Sequence, residues 1–343
     1  MRQSYGLVMT VMEPRALLLT NLAWHLGTGA SEIHVYFDAP DDPVIPEVAA
    51  LERVHVVVCD DAHWRKTAPI RRKPPTIRRR QALNANHALS RCTCDWLIHL
   101  DADEFLFQSR PLEIELAHVA ELDCEIVFPV FERMLLRDRP QTSFFDGNFR
   151  SSTKGLNRRN DGINADKVIF GDHYPLLVHG MLGHSAGKCG VPRNSDFEIG
   201  IHWAYRGPER IRAARYASTS TQLLHFDGLT RLHWLSKLLR YADYDPAVLN
   251  VAPHRRAQIE VLLDVKDDAS GILEFHREVQ APDVALQDRL RAFGLLHDIA
   301  FDPSPVIADV LGELPDLAPR PFDETLLAQY PERLAILRNH LSE

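Results

Sequence analysis

Three acids, Asp101, Asp103 and Glu104, fall within four residues of one another in the stretch CDWLIHLDADEFLF, directly after an apolar run of strand character. Carboxylates this close repel, so the pattern calls for a positive partner. Two carboxylates at i and i+2 on a loop just beyond a strand can converge on one hard cation. Mg2+ or Mn2+ prefers oxygen ligands and leaves coordination positions open for phosphate. A cation held there would neutralise a departing diphosphate. For an isolated Asp-x-Asp the plain alternative is a solvated acidic turn before a helix, so the surrounding elements have to decide.

Those elements alternate. YGLVMTVM (Tyr5 to Met12) reads as a buried strand, and Pro14 suits the first turn of the helix RALLLTNLAWHL, which ends at Gly27. EIHVYF and VHVVVC supply the second and third strands. A basic loop, RKTAPIRRKPPTIRRR, leads into a helical pattern through QALNANHALSRC, and WLIHL makes the fourth strand. A helix near Leu112 to Glu121 and the β-run EIVFPVF follow. Apolar strands separated by helices imply crossovers and a mostly parallel sheet with both faces covered, an α/β fold. In such a sheet ligands bind at the carboxyl ends of the strands, where the acidic triplet lies.

From Asp138 to Ser195 the chain is rich in Gly, Asn, Asp, Arg and Ser, the composition of long functional loops. LTRLHWLSKLLRYA shows apolar spacing of three and four, a helix, and the last hundred residues read as helical segments broken by prolines. The expected organisation is one domain over residues 1–242, with a donor-binding half of about 1–135 and a loop-rich acceptor side of about 136–242, then a helical region over 243–343.

Composition narrows the class. With 343 residues, 45% hydrophobic and 25% charged, the chain can bury a large core. A net charge of -8 speaks against a nucleic-acid binder. Five cysteines without zinc-ribbon spacing suggest a reducing compartment. Glu13 and Pro14 interrupt the only apolar run near the start, and no stretch has the length of a membrane span, so a cytoplasmic protein is expected.

DWLIHLDADEFL, preceded by RRRQALNANHAL, resembles the core of GT-A glycosyltransferases, in particular family-2-like and family-92-like bacterial enzymes with a tryptophan-led strand ending in Asp-x-Asp-Glu-Phe. LLHFDGLTRLHWLSKLLR is similar to a second segment of that group, and the resemblance covers about residues 5 to 242. It implies a Rossmann-like, mostly parallel sheet with helices on both faces, extended by C-terminal helices. It further implies Asp101 and Asp103 as metal and ribose ligands, Glu104 as support for the loop or an acceptor contact, and His225 as completing the metal shell. Asp38 would read the nucleobase; Arg80, Gln81 and Asn84 would face the nucleotide; Lys237 and Arg240 would hold diphosphate. The group usually has Asn-Glu after its first strand. Here Met12 replaces the Asn, leaving Glu13 as the donor contact, a position equally suited to an acid at a helix start.

The implied activity is metal-dependent transfer, with Mn2+ or Mg2+, of a hexosyl group from a UDP-sugar to a glycan or lipid-linked acceptor in surface polysaccharide synthesis, inverting rather than retaining. Inversion needs a base for the acceptor hydroxyl, and Glu132, Asp196 and Glu198 are the candidates. The basic loop carries eight cations between Arg65 and Arg80, which suit diphosphate, a lipid-linked acceptor or the inner membrane surface; without aromatics after Trp64 it does not suit nucleic-acid bases. Two rival functions are a metal-dependent phosphohydrolase or nucleotidyltransferase, and a nucleotide- or glycan-binding protein without turnover.

Overall fold

The computed structural model describes residues 2–137, 139–159, 162–242, 251–332 and 334–340. The chain forms two compact units, one comprising Met1–Pro129, Ala186–Leu223 and Pro303–Pro315, the other Val130–Ser185, Leu224–Asp302 and Asp316–Glu343. The boundary expected after residue 242 meets residues 243–250, which lie outside the described residues.

The first unit is built on a mixed sheet. Its strands are β1 (Tyr5–Val11), β2 (Glu32–Phe37), β3 (Val54–Val58), β4 (Trp96–His99), β5 (Glu125–Phe128), β6 (Lys188–Pro192) and β7 (Arg215–Ala217). Their spatial order is β7-β5-β6-β4-β1-β2-β3. The β4-β1-β2-β3 portion is parallel, as the apolar runs between helices imply. Strand β6 runs antiparallel between β4 and β5, and β7 lies parallel to β5. That antiparallel return draws residues 186–223 back into the first unit, which is why the unit is not one continuous segment.

Three helices concern the site: α1 (Arg15–Gly27), α2 (Asp61–Thr67) and α3 (Ile77–Leu89). Alternate residues of a strand face opposite ways. Val8, Tyr36 and Leu97 pack with Trp64 of α2 and with Ala85 and Ala88 of α3. Leu7, Met9, Val35 and Ile98, on the other face, are just as buried, so both faces of the sheet are covered. The basic stretch is not all loop: Arg65 and Lys66 close α2, Arg78 to Arg80 open α3, and the irregular part between them holds Pro69, Pro74 and Pro75. Helix Ser304–Leu311 packs on α1, and a Cβ at Gly27 would stand 2.4 Å from Val306 Cγ1, so only glycine allows that approach.

The second unit pairs strands Val130–Met134, Asn148–Ser151 and Leu296–His297 antiparallel, with Glu132 opposite Arg150. Its helices Arg231–Ala242, Pro253–Val265 and Ala269–Gln280 bury Trp234, Leu235, Leu262, Ile272 and Phe275 against one another. The described residues after 250 are mostly helical, in segments such as Val284–Ala292 and Pro319–Gln329. Among the described residues no helix is long and apolar enough to cross a membrane.

Candidate functional site

The parallel strands of the first unit deliver their carboxyl ends to one edge. There β1 leads to Glu13, β2 to Asp38, β3 to the helix-capping Asp60, and β4 to the Asp101–Glu104 loop. The loop is shaped from behind by α1. Buried Asn21 donates its side-chain amide to the carbonyl oxygens of Ala102 (3.0 Å) and Glu104 (2.8 Å). Glu104 turns back to accept from the Asp101 amide at 2.8 Å, a bond that supports the loop.

A positive partner for the acids is a lysine 87 residues downstream of Asp101. Because β6 runs antiparallel to β4, with Gly190 opposite Ile98, its first residue arrives beside the end of β4. That residue is Lys188. Its ammonium, fully buried, bonds Asp101 and lies 2.9 Å from Glu104 Oε2. Burial opposes charging the lysine, but the Asp101 and Glu104 carboxylates outweigh it and hold the ammonium above its ordinary range. Burial alone would raise Asp101, yet Lys188 brings it below the usual carboxylate value. Beneath them, burial and then the Lys188 charge push His99 down to about 4, so its ring is neutral.

Asp101 is also tied to α3, since Gln81 donates to its Oδ1 at 2.6 Å. One residue back, Arg80 Nε lies 2.9 Å from Asp38 Oδ1, while Lys73 donates to the Asp38 carbonyl at 2.8 Å and stands 3.3 Å from the same carboxylate. Arg80 also donates to the Pro74 carbonyl at 2.9 Å, fixing the basic loop onto Asp38. Asp38, Arg80, Gln81 and Asp101 are thus brought together along one edge. An open cleft of about 530 Å³, lined in part by Pro40, Asp60, Trp64, Arg65 and Lys73, reaches this edge at Lys73, which contacts Asp38.

Asn84 differs from the expectation. It is fully buried, donating to Thr10 Oγ1 at 3.0 Å and meeting His63 Nε2 at 2.8 Å, so it joins α3 to β1 and α2 and cannot face a ligand. Glu13 is half-buried in the turn after β1. Asp196 and Glu198 stand exposed beside the three-stranded hairpin sheet Phe197–Ile199, Ala204–Arg206 and Ile211–Arg212, paired with Arg206 at 2.6 Å and Arg210 at 2.7 Å.

The other expected residues belong to the second unit. Glu132 is buried there, accepting from Arg150 at 2.8 Å and from the amides of Leu182 (2.7 Å) and Gly183 (2.8 Å). Burial works against its charge, but Arg150 and then His225 bring its carboxyl down to about 2, too weak a base for a hydroxyl at neutral pH. His225 Nδ1 lies 3.5 Å from Glu132 Oε2, and its ring stands 4.9 Å from that of His184. A Cβ at Gly183 would stand 2.4 Å from His225 Cε1, so the bend there packs against this histidine without displacing its ring only as glycine. Lys237 lies 3.8 Å from Asp227, which Arg255 binds at 2.9 Å, and Arg240 is half-buried on the same helix. All three base candidates are therefore held by arginines.

Two residues of the site have no signal in the motif. Lys188 lies in the loop-rich middle, and Asn21 looks like any polar residue inside an apolar helix; both act only through contacts distant in sequence. The residues of the acid loop fit a divalent ion. Mg2+ takes one or two protein carboxylates and completes its shell with phosphate oxygens and water, and Asp103, nine-tenths buried beside an Asp101 held by Lys188, is a carboxylate of that kind.

No protein-family model matches the sequence, and no curated protein matches it. Solved structures share parts of the fold at low similarity. A 4-diphosphocytidyl-2C-methyl-D-erythritol synthase from Anaerococcus prevotii has 11% identity over 40% of this chain and 61% of that one, with a TM-score of 0.25. GalNAc-T7, solved with UDP, GalNAc and Mn2+, has 10% identity over 84% and 56%, with a TM-score of 0.36. TarS of S. aureus in complex with UDP-GlcNAc has 12% identity over 97% and 86%, with a TM-score of 0.33. The chain thus spans under two thirds of the first two proteins, and likenesses this slight fix no activity.

Proposed function

We propose that the chain is a glycosyltransferase that uses Mn2+ or Mg2+ to move a sugar from a nucleotide sugar, a UDP-hexose by preference, to a glycan or lipid-linked acceptor. One observation carries this reading: at the carboxyl edge of the parallel strands, α3 presents Arg80 to Asp38 and Gln81 to Asp101 on consecutive residues. A nucleotide lying along that edge would meet Asp38 at the end of β2 and the acid loop at the end of β4, the two places where a base and a diphosphate need opposite chemistry. Lys73, Arg80 and the remaining cations of the basic stretch supply positive charge beside the cleft.

In the reaction the acceptor hydroxyl oxygen forms a bond to the anomeric carbon and gives up its proton to a carboxylate base or to solvent water, the bond from that carbon to the diphosphate oxygen breaks, and the nucleoside diphosphate leaves with the bonding pair. Asp103 would hold the divalent ion, with Asp101 nearby; when bound, the ion supplies charge to the departing diphosphate. Lys188 keeps the Asp101 carboxylate ionised and oriented by Gln81, so the loop is set before a donor arrives. Attack from the face opposite the diphosphate inverts the anomeric centre. A surface-polysaccharide role at the cytoplasmic face fits a basic stretch able to meet anionic lipid.

A panel of nucleotide sugars, with and without Mn2+, tests the reading by thermal shift, because a bound donor raises apparent stability by mass action. A Mn2+-dependent shift with UDP-sugars followed by turnover is expected; no shift with any nucleotide defeats it. The arginine pairing of Glu132, Asp196 and Glu198 favours one second reading, a protein that binds the nucleotide without transferring the sugar. Metal-dependent binding with no turnover on any acceptor would select it.

A further inference from the structure

The opposite end of the same sheet gathers a different set of side chains. Glu32 and His34 occupy alternate positions at the start of β2 and so point to one face, the face that also carries Tyr36 and α3. In the parallel register His34 stands directly beside His55 of β3. His34 Nε2 lies 3.6 Å from Glu32 Oε1, His55 Nε2 lies 3.4 Å from Glu32 Oε2, and the two imidazole rings are 4.9 Å apart. The three ligand atoms lie within 4.8 Å of one another.

We propose that His34, His55 and Glu32 form a binding site for a divalent transition-metal ion of the zinc class, at the amino end of the sheet and separate from the acid loop. The spacing fits. Bonds of about 2.0–2.2 Å in a tetrahedral shell put neighbouring ligand atoms roughly 3.3–3.5 Å apart, close to the two nitrogen-to-oxygen distances found.

Glu32 is also oriented as a ligating carboxylate has to be. The amides of Thr93 (2.6 Å) and Cys94 (3.0 Å) donate to its Oε1, and the Thr93 hydroxyl donates to its Oε2 at 2.9 Å. Those bonds explain why an acid is buried here, but they leave the histidines unexplained. His34 is 4% exposed, and among the described residues its Nε2 has no hydrogen-bond partner although it is turned toward the carboxylate. A buried imidazole nitrogen left in that state costs stability unless something binds it. His55 is half-exposed and gives the ion a way in from solvent. Gly6, next to Glu32 in the register, leaves the room: a Cβ there would meet Cys94 Sγ at 2.8 Å and Glu32 Cγ at 2.9 Å. The buried thiols of Cys92 and Cys94 form a second group with Glu32, without either histidine. A zinc-class ion with an imidazole–imidazole–carboxylate shell and water as fourth ligand matches the donor set, whereas Mg2+ would want oxygen alone.

The experiment titrates the full-length chain with Zn2+ alone and counts bound zinc by elemental analysis after gel filtration. His55→Ala changes an exposed side chain and spares the fold; His118→Ala, on an exposed helix face of the first unit, serves as control. Expected is one equivalent of zinc in the wild type and in His118→Ala that His55→Ala loses or binds at least about 10-fold more weakly. X-ray absorption at the zinc edge should show a shell of nitrogen and oxygen. Equal zinc in wild type and His55→Ala, equal loss in His118→Ala, a sulfur atom in the shell, or no bound zinc at all would each overturn the assignment.

Discussion

Lys188 Nζ lies 2.9 Å from Glu104 Oε2 and bonds Asp101 as well, so one buried ammonium serves two carboxylates of the acid loop. The pairing offsets part of the charge that the sequence motif accumulates, and it does so from within the chain. Replacing Lys188 with Ala leaves the buried Glu104 and the partly exposed Asp101 without their cation. Removing one partner of such a group is expected to cost roughly 3–5 kcal/mol of folding stability. Urea denaturation of Lys188→Ala against wild type measures it, and a loss under about 1 kcal/mol would mean that water reaches the acids.

Asp103 should separate from its neighbours in function. Asp103→Asn keeps shape while removing charge, so transfer and Mn2+-dependent UDP binding are expected to fail with the unfolding midpoint little changed. Calorimetric titration of UDP with and without Mn2+ is the measurement. Wild-type affinity in the variant would take Asp103 out of the metal shell.

Asp38 acts through the two cations it holds. With Arg80 Nε 2.9 Å away and Lys73 at 3.3 Å, an Asp38→Ala change frees the basic loop as well as removing an acceptor for a base edge. The donor's dissociation constant should rise about tenfold to a hundredfold while the maximal rate at saturating donor changes little. A fall in maximal rate with unchanged UDP affinity would contradict a role in donor binding.

Much of the first unit was legible because its signals are local. The apolar runs at Tyr5–Val11, Glu32–Phe37 and Trp96–His99 are short, bounded by turns and separated by helices, and they became the parallel strands they predict. That the acid loop follows a strand and that Arg80 and Gln81 lie near the start of a helix was legible for the same reason, since each sits next to an element end. Lys188 was not, because an antiparallel strand inserted from residues 186–223 is a long-range pairing without local trace. Asn84 misled, as a polar residue one turn beyond Arg80 looks ligand-facing until His63 and Thr10 enclose it. Glu132 misled likewise: nothing in VFERML announces Arg150 on the neighbouring strand.

That pair gives the chain an acid limit. The Glu132 carboxyl titrates at about 2 in the folded state against 4.5 as an ordinary glutamate, so the unfolded chain binds its proton first as pH falls. Its contribution is complete above pH 4.5 and is lost progressively down to about pH 2. Buried His25 and His99 start the decline earlier. Both are held near 4 against 6.5, so the unfolded state takes up their protons between those values and stability falls as pH drops through that range. Comparison of wild type with Glu132→Gln isolates the glutamate. At neutral pH the variant leaves the Arg150 guanidinium buried without its anion and should be less stable by roughly 3–5 kcal/mol. On acidification the two stability curves should run parallel while the histidines titrate and then converge below pH 4.5, as wild-type Glu132 gives up its charge. Urea midpoints measured from neutral pH down to the acid limit test this, and curves that stay parallel throughout would show that Glu132 is not ionised against Arg150 in the folded chain.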